Sequence, residues 1–283
     1  MITKIEVDGF KSLTNFKLDL HEGLNILVGS NGSGKTNIVL FFEFLSKLVT
    51  MPVGDALTKM GGFGFIFQKT EGGYVDSIKV KIMGERRAEN IEDNYTYSYS
   101  FELKISDDNE SITYDIQKLV ITTSLQIFTF NRPRGKNFTQ AEIKQKDGLS
   151  NFEIKEAKLW RQKFSRKLEE PEVNFDKNYD SLTKIYPFIS DYFPTILTDL
   201  KGGETFNIIP NRMREQESAI SSKGIQSDGY GLAKTLFEMK RGNGNNSNYN
   251  VRNFQKAIAY LKLANAAIHD LVIEKDAFSS VLI

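Results

Sequence analysis

The sequence contains no cysteine and only two histidines, His21 and His269. The first absence excludes disulfides and thiolate metal sites and fits a reducing cytoplasm. The second, with the two residues far apart in the chain, argues against an imidazole metal centre. An excess of charge is also missing: 37 Lys and Arg face 36 Asp and Glu, a net charge of +1. No global field therefore draws the chain to nucleic acid or a membrane, and any such binding must come from a local patch. Nor is there an apolar run of membrane-spanning length. The segment Ile38–Val49 is too short and is interrupted by Glu43 and Lys47, and the opening MITKIEVDGF has no signal-peptide core. A cytoplasmic chain with no membrane partner is expected. Its 283 residues, 40% hydrophobic and 26% charged, suffice for one large core or two modest ones.

What is present centres on Leu24–Thr36, LNILVGSNGSGKT. Leu24, Ile26, Leu27 and Val28 form an apolar run of strand length, which predicts a buried strand. Gly29-Ser30-Asn31-Gly32-Ser33-Gly34-Lys35-Thr36 fits the phosphate-binding pattern G-x-x-x-x-G-K-[ST]. Its glycines allow a tight turn and let bare backbone N–H groups approach an anion. The helix expected from Lys35 onward aims its unpaired N–H groups and its dipole at the same place. Lys35 then reaches the outer phosphates and the Thr36 hydroxyl ligates Mg²⁺. Ser30, Asn31, Gly32, Ser33, Gly34, Lys35, Thr36 and the adjoining Asn37 are the candidate ATP-binding residues. The helix after the loop, to Val49, is apolar on nearly every side, which predicts that protein covers it all round.

Two strands precede the loop, with alternation at Ile5 and Val7 and again at Phe16, Leu18 and Leu20. Between them lies Gly9-Phe10-Lys11-Ser12-Leu13. The opening IEVDGFKSLTNFKLDLHEGLNILVGSNGSGKTNIV resembles the head domain of the ABC-type ATPases related to SMC and RecF proteins. More narrowly, it is similar to the stand-alone bacterial AAA-type ATPases of that group, many of them in anti-phage defence or toxin-like operons. The resemblance implies an α/β P-loop NTPase fold of ABC-head type, with a mixed core sheet flanked by an antiparallel sheet and a helical insertion. It implies that Lys11 and Ser12 lie beside the nucleotide, with Lys11 on phosphate or ribose; a solvated loop lysine is the alternative. It also implies that Gln68, after the strand expected from the glycine-rich Gly61–Gln68, touches Mg²⁺ and the attacking water. A plain surface glutamine is the alternative there.

From Val75 to Phe130 alternation repeats, through Ile78, Val80 and Ile82, then Tyr95 to Ile105, then Ile112, Tyr114 and Ile116 after the turn Asp107-Asp108-Asn109. This predicts antiparallel strands with one packed and one wet face. The tyrosine row shares a face with Phe101 and Leu103, so it reads as core rather than as a base-stacking surface. Residues 131–200 read as a basic and helical insertion. Arg132, Arg134 and Lys136 surround a Pro-Gly break, and Lys155–Lys167 carries six basic residues against one acidic on a rough helical stripe. That helix is either a nucleic-acid or acidic-partner surface or a solvated face. Phe175–Phe193 also has helical spacing.

Residues 201–283 read as a helical segment returning to the ATPase core. A short strand is expected at Thr205–Ile209, a helix capped by Ser227 or Asp228 and running to Met239, a polar loop over Arg241–Asn250, and a helix over Phe254–Ile268. Residues 1–130 form the nucleotide-binding lobe. The acidic pair that completes hydrolysis in ABC-type heads is not recognisable: Leu271-Val272-Ile273-Glu274 is followed by Lys275. The expectation is the N-terminal part of a longer ATPase head. That head would pair as a homodimer on ATP and control an effector, a nuclease or toxin. The second expectation is a module that holds nucleotide as a sensor or scaffold without turnover.

Overall fold

The computed structural model describes residues 1–87, 94–106, 111–132, 134, 140–147, 178, 193, 195–203, 205–213, 215, 217–218, 224–242, 247–275 and 280–282. The basic segment 155–167, the Asp107–Asn109 turn and nearly all of 175–193 lie outside them. The chain is a mixed α/β protein that divides into two compact units, Met1–Gly203 and Glu204–Ile283.

The first unit is built on seven strands: β1 (Ile2–Asp8), β2 (Phe16–Asp19), β5 (Ser77–Arg86), β6 (Tyr95–Ile105), β7 (Ile112–Thr122), β8 (Gln126–Arg132) and β9 (Gln140–Gln145). They form one sheet in the order β2-β1-β5-β6-β7-β8-β9, and every pair in it is antiparallel. Helix α1 (Lys35–Leu48), α2 (Val53–Lys59), the single turn α3 (Phe63–Ile66) and α4 (Thr195–Lys201) accompany it, and a small ribbon β3 (Lys69–Thr70) with β4 (Gly73–Tyr74) follows α3. Ile5, Val7, Ile78, Val80, Ile82 and the Tyr95–Leu103 row share one core with Phe41, Phe44 and Leu45 of α1 and Ile196, Leu197 and Leu200 of α4. The tyrosines are thus buried, as their phase with Phe101 predicts.

The row is tied down at its polar ends. Tyr97 donates to Asp199 at 2.7 Å. Burial, reinforced by the Asp199 carboxylate, pushes the Tyr97 hydroxyl far above the ordinary phenol range.

Strand β7 departs from simple alternation. Glu102 faces Ile116 and Leu103 faces Tyr114, so Asp115 is an extra residue in a β-bulge. Beyond it the faces exchange. Gln117 occupies a buried place and donates to the Tyr99 hydroxyl at 3.0 Å, while Ile116 is only half-buried. The arginines near the Pro-Gly break are internally engaged. Arg132 is buried and donates to the Tyr114 carbonyl at 2.8 Å. Arg134 pairs with Asp115 at 2.8 Å and Glu102 at 3.2 Å.

Several sequence expectations are corrected. Leu24–Val28 is not a buried strand. Leu24, Ile26 and Val28 are 85%, 73% and 88% exposed, and no strand of the described residues pairs with them. A strand apolar on both faces needs neighbours on both edges and cover on both sides. Here β2 is the last strand at that edge of the sheet, and the chain leaves it at His21. The Asn25 side chain closes a local ring instead, accepting from the His21 N–H at 3.0 Å and donating to its carbonyl at 2.8 Å. That local bonding competes with any ladder. The strand expected from Gly61–Gln68 is absent there: Phe63–Ile66 form the helical turn α3, and Gly61 and Gly62, at φ 95° and 90°, turn the chain into it. Helix α1 is buried along Ile38, Phe41, Phe44, Leu45 and Leu48, but Val39 is exposed, so its cover is one-sided.

The second unit contains α5 (Pro210–Met213), β10 (Glu217–Ser218), α6 (Leu232–Arg241), α7 (Ser247–Ala264), β11 (Glu274–Lys275) and β12 (Ser280–Leu282). The strands form a three-stranded sheet ordered β10-β12-β11. Ala233, Phe254 and Ile273 make its small core. Thr205–Ile209 is not a strand; the Asn207 and Ile209 N–H groups bond to the carbonyls of Ser227 and Asp228. Neither Ser227 nor Asp228 caps α6. Gly231 precedes it at φ 93°, and Asp228 accepts from the Tyr230 N–H at 3.0 Å in a turn of its own. Helix α6 runs on to Arg241 and α7 begins at Ser247, which shortens the expected loop.

Candidate functional site

The site is assembled at the N-terminal end of α1. Gly34 precedes the helix at φ 91°, and no side chain caps the first turn. That turn contains no acidic residue. Its leading N–H groups have no helical acceptor, and the dipole adds positive potential where no carboxylate opposes it. Torsion favours glycine at Gly32 and Gly34, and at two of the loop glycines a side chain would crowd a serine hydroxyl. A Cβ at Gly34 would stand 3.3 Å from Ser12 Oγ, and one at Gly29 would stand 2.9 Å from Ser33 Oγ. Gly32 sits at φ 83°, a conformation that costs an L-residue roughly 1–2 kcal/mol.

Lys35 folds back over this loop. Its ammonium donates to the Gly29 and Ser30 carbonyls, each at 2.7 Å, and reaches Ser33 Oγ at 3.4 Å. These are neutral acceptors at an exposed position. A phosphate oxygen, which carries charge as well as accepting, is a stronger partner for the ammonium than either carbonyl. Thr36 is exposed in the first turn, and Ser30, Asn31, Gly32 and Ser33 are exposed in the loop itself.

The segment Gly9–Asn15 borders this loop. Phe10 is fully buried, with its ring centroid 5.5 Å from that of Phe41 and 5.5 Å from that of Phe44. Burying such a side chain is worth roughly 1.5–3 kcal/mol, enough to fix the segment against α1. The Leu13 N–H closes a turn on the Phe10 carbonyl at 2.7 Å, which leaves Lys11 and Ser12 outermost. Ser12 Oγ accepts from Asn37 Nδ2 at 2.7 Å, joining the segment to the first turn of α1. Asn37, expected to touch nucleotide, uses one amide N–H for this bond. Lys11 has φ 49°, donates its N–H to the Ile66 carbonyl at 2.8 Å, and sets its ammonium 3.1 Å from the centre of the Phe65 ring. Partial burial lowers the Lys11 pKa below the usual lysine value. Gln68 is tied to the same segment, with its N–H on the Gly9 carbonyl at 2.9 Å and its side-chain amide on Thr14 Oγ1 at 2.7 Å.

The structure thus brings Ser12, Asn37 and Gly34 of the glycine loop together, turns Lys11 toward Phe65, and holds Gln68 through Thr14. Sequence reasoning missed Thr14 and Phe65. Nothing in a periodicity marks either one, since their roles arise from the packing of α3 against the Gly9–Asn15 segment. The residues suit a polyphosphate: a loop with glycines at positive φ, an uncapped helix end and a lysine on neutral acceptors. Among the described residues no group of three or more His, Asp or Glu side chains could hold a metal ion. No described helix is long and apolar enough to cross a membrane.

A family profile described as "AAA ATPase domain" matches residues 1–277. The DNA replication and repair protein RecF of Lactococcus lactis subsp. cremoris (strain MG1363) is 42% identical over 45 residues, 16% of this chain and 12% of that protein. RecF of Bifidobacterium adolescentis is 49% identical over 45 residues, 16% of this chain and 11% of that protein. The similarity spans only about an eighth of the length of these curated relatives.

Proposed function

The chain belongs to the AAA ATPase domain family, and from that premise we propose that Gly29–Thr36 holds the phosphates of ATP. In this reading the first-turn N–H groups of α1 and the Lys35 ammonium grip the outer phosphates. The Thr36 hydroxyl supplies a ligand to Mg²⁺, which neutralises phosphate charge when bound. Lys11 and Ser12 close the side of the site, and Asn37, in the first turn of α1, holds Ser12 there. The observation that carries the reading is Lys35 Nζ, folded onto the Gly29 and Ser30 carbonyls at the open end of an uncapped helix.

Titration of a fluorescent ATP analogue tests it: the wild-type chain binds and Lys35→Ala does not. Equal affinity in that variant would overturn the assignment. Phosphate release separates an ATPase from a nucleotide-holding sensor, because the sensor binds without turnover. The likeness to RecF, a protein of DNA replication and repair, supports a DNA-associated setting. There two ATP-bound copies pair and control an effector such as a nuclease or toxin. Sedimentation with and without ATP reads the pairing; a sedimentation coefficient that ATP leaves unchanged argues against it.

A further inference from the structure

Lys11, next in the chain to the Ser12 that borders the phosphate loop, sets its ammonium over the Phe65 ring. Phe65 lies on the single turn α3, whose neighbours Ile66 and Phe67 are buried in the core. Anchored on both of those, the turn leaves Phe65 50% exposed, facing outward beneath Lys11. The Lys11 backbone is fixed separately, by its φ of 49° and by its N–H bond to Ile66. Two independent constraints therefore set where the ammonium lies: a backbone held in a left-handed turn and an aromatic face 3.1 Å from the charge.

The choice of partner matters chemically. A carboxylate in this place would neutralise Lys11 and cancel its attraction for phosphate. An aromatic ring attracts the cation through its quadrupole and leaves the full positive charge standing. It also occupies one side of the ammonium only, so N–H donors on the other side remain for an anion. Restraining a long lysine beforehand removes part of the rotamer entropy that binding would otherwise cost.

We propose that Phe65 is a positioning residue for the nucleotide, holding the Lys11 ammonium beside the phosphate loop so that it meets an anionic oxygen of ATP. The proposal rests on the reading of Gly29–Thr36 as the ATP site. Neighbouring aromatics support the arrangement: the Phe63 ring packs 4.9 Å from Tyr74 and 5.7 Å from Phe67, which stiffens the turn that carries Phe65.

The test is a set of affinities for a fluorescent ATP analogue with Mg²⁺, measured on the full chain. The variants are Phe65→Leu, Phe65→Trp, Lys11→Met and the double variant Lys11→Met with Phe65→Leu. Leu keeps apolar bulk without a ring, and Trp keeps a cation-binding face. At a half-exposed position both substitutions are compatible with folding. Phe65→Leu is expected to weaken binding about threefold, Phe65→Trp to restore it, and Phe65→Leu to have no further effect once Lys11 is Met. An unchanged affinity in Phe65→Leu, or the same loss with and without Lys11, overturns the role of Phe65 while the ATP site stands. An analogue that does not bind wild type, or binds Lys35→Ala equally well, overturns the ATP site and the proposal with it.

Discussion

Ser12 and Asn37 are joined side chain to side chain, Nδ2 to Oγ at 2.7 Å. This bond fastens the segment after β1 to the first turn of α1, 25 residues later in the chain. Replacing Ser12 by Ala or Asn37 by Ala is expected to lower stability by roughly 0.5–1.5 kcal/mol, the usual worth of one such bond. The two losses should not add. Chemical denaturation of the single and double variants measures this, and full additivity would show that the bond does not act as a unit.

Gly34→Ala is expected to damage the site more than it damages the fold. At φ 91° an alanine is strained by roughly 1–2 kcal/mol, and its methyl group would press on Ser12 Oγ at 3.3 Å. Relief of both moves the loop off the helix end, so affinity for the ATP analogue falls at least tenfold while the far-UV spectrum is retained. Wild-type affinity in this variant would contradict the loop geometry described above.

Gly84 faces Tyr97 across β5 and β6, with the tyrosine ring covering the glycine. A Cβ there would lie within the ring's van der Waals surface. Gly84→Ala therefore displaces Tyr97 from Asp199 and costs about 1–3 kcal/mol, the range for overpacking a core. Thermal unfolding reads the loss, and a variant as stable as wild type would mean that the ring has somewhere else to go.

In the second unit Arg212 donates to Asp228 at 2.9 Å, and this bond, followed by that from the Tyr230 N–H, holds the Asp228 carboxyl below the usual carboxylate range. A depressed folded-state pKa contributes stability that is fully present above the unfolded value, about 4, and is lost as pH falls through the folded one. The wild type should accordingly lose more stability than Asp228→Asn between pH 5 and pH 2. Parallel curves for the two proteins would remove Asp228 from the acid transition.

How far the sequence carries depends on whether the cause is local. The bounds of β6, Tyr95–Ile105, follow from a period of two that one strand contains by itself. The glycine loop and the helix after it are equally local, because torsion and capping act within a few residues. Asp115 is different. A bulge is a property of two strands, so the burial of Gln117 in place of Ile116 could not be seen from β7 alone. Leu24–Val28 fails for a related reason: its composition states what surroundings it suits, while its exposure depends on which strands stand beside it. The tie between Gln68 and Thr14 needed the whole segment after β1 to be placed first.

That exposed segment has a thermodynamic consequence for the loop it leads into. Val28 and Gly29 are consecutive, and among the described residues no backbone hydrogen bond secures Leu24–Val28. Fixing backbone costs roughly 1–2 kcal/mol per residue, so an anion that orders the loop must also help to order the stretch before it. A neighbour that pairs along Leu24–Val28 removes that part of the cost in advance. Phosphate affinity and edge pairing then strengthen each other by the same factor in both directions. Occupancy of the phosphate loop and pairing along Leu24–Val28 would then form one linked equilibrium.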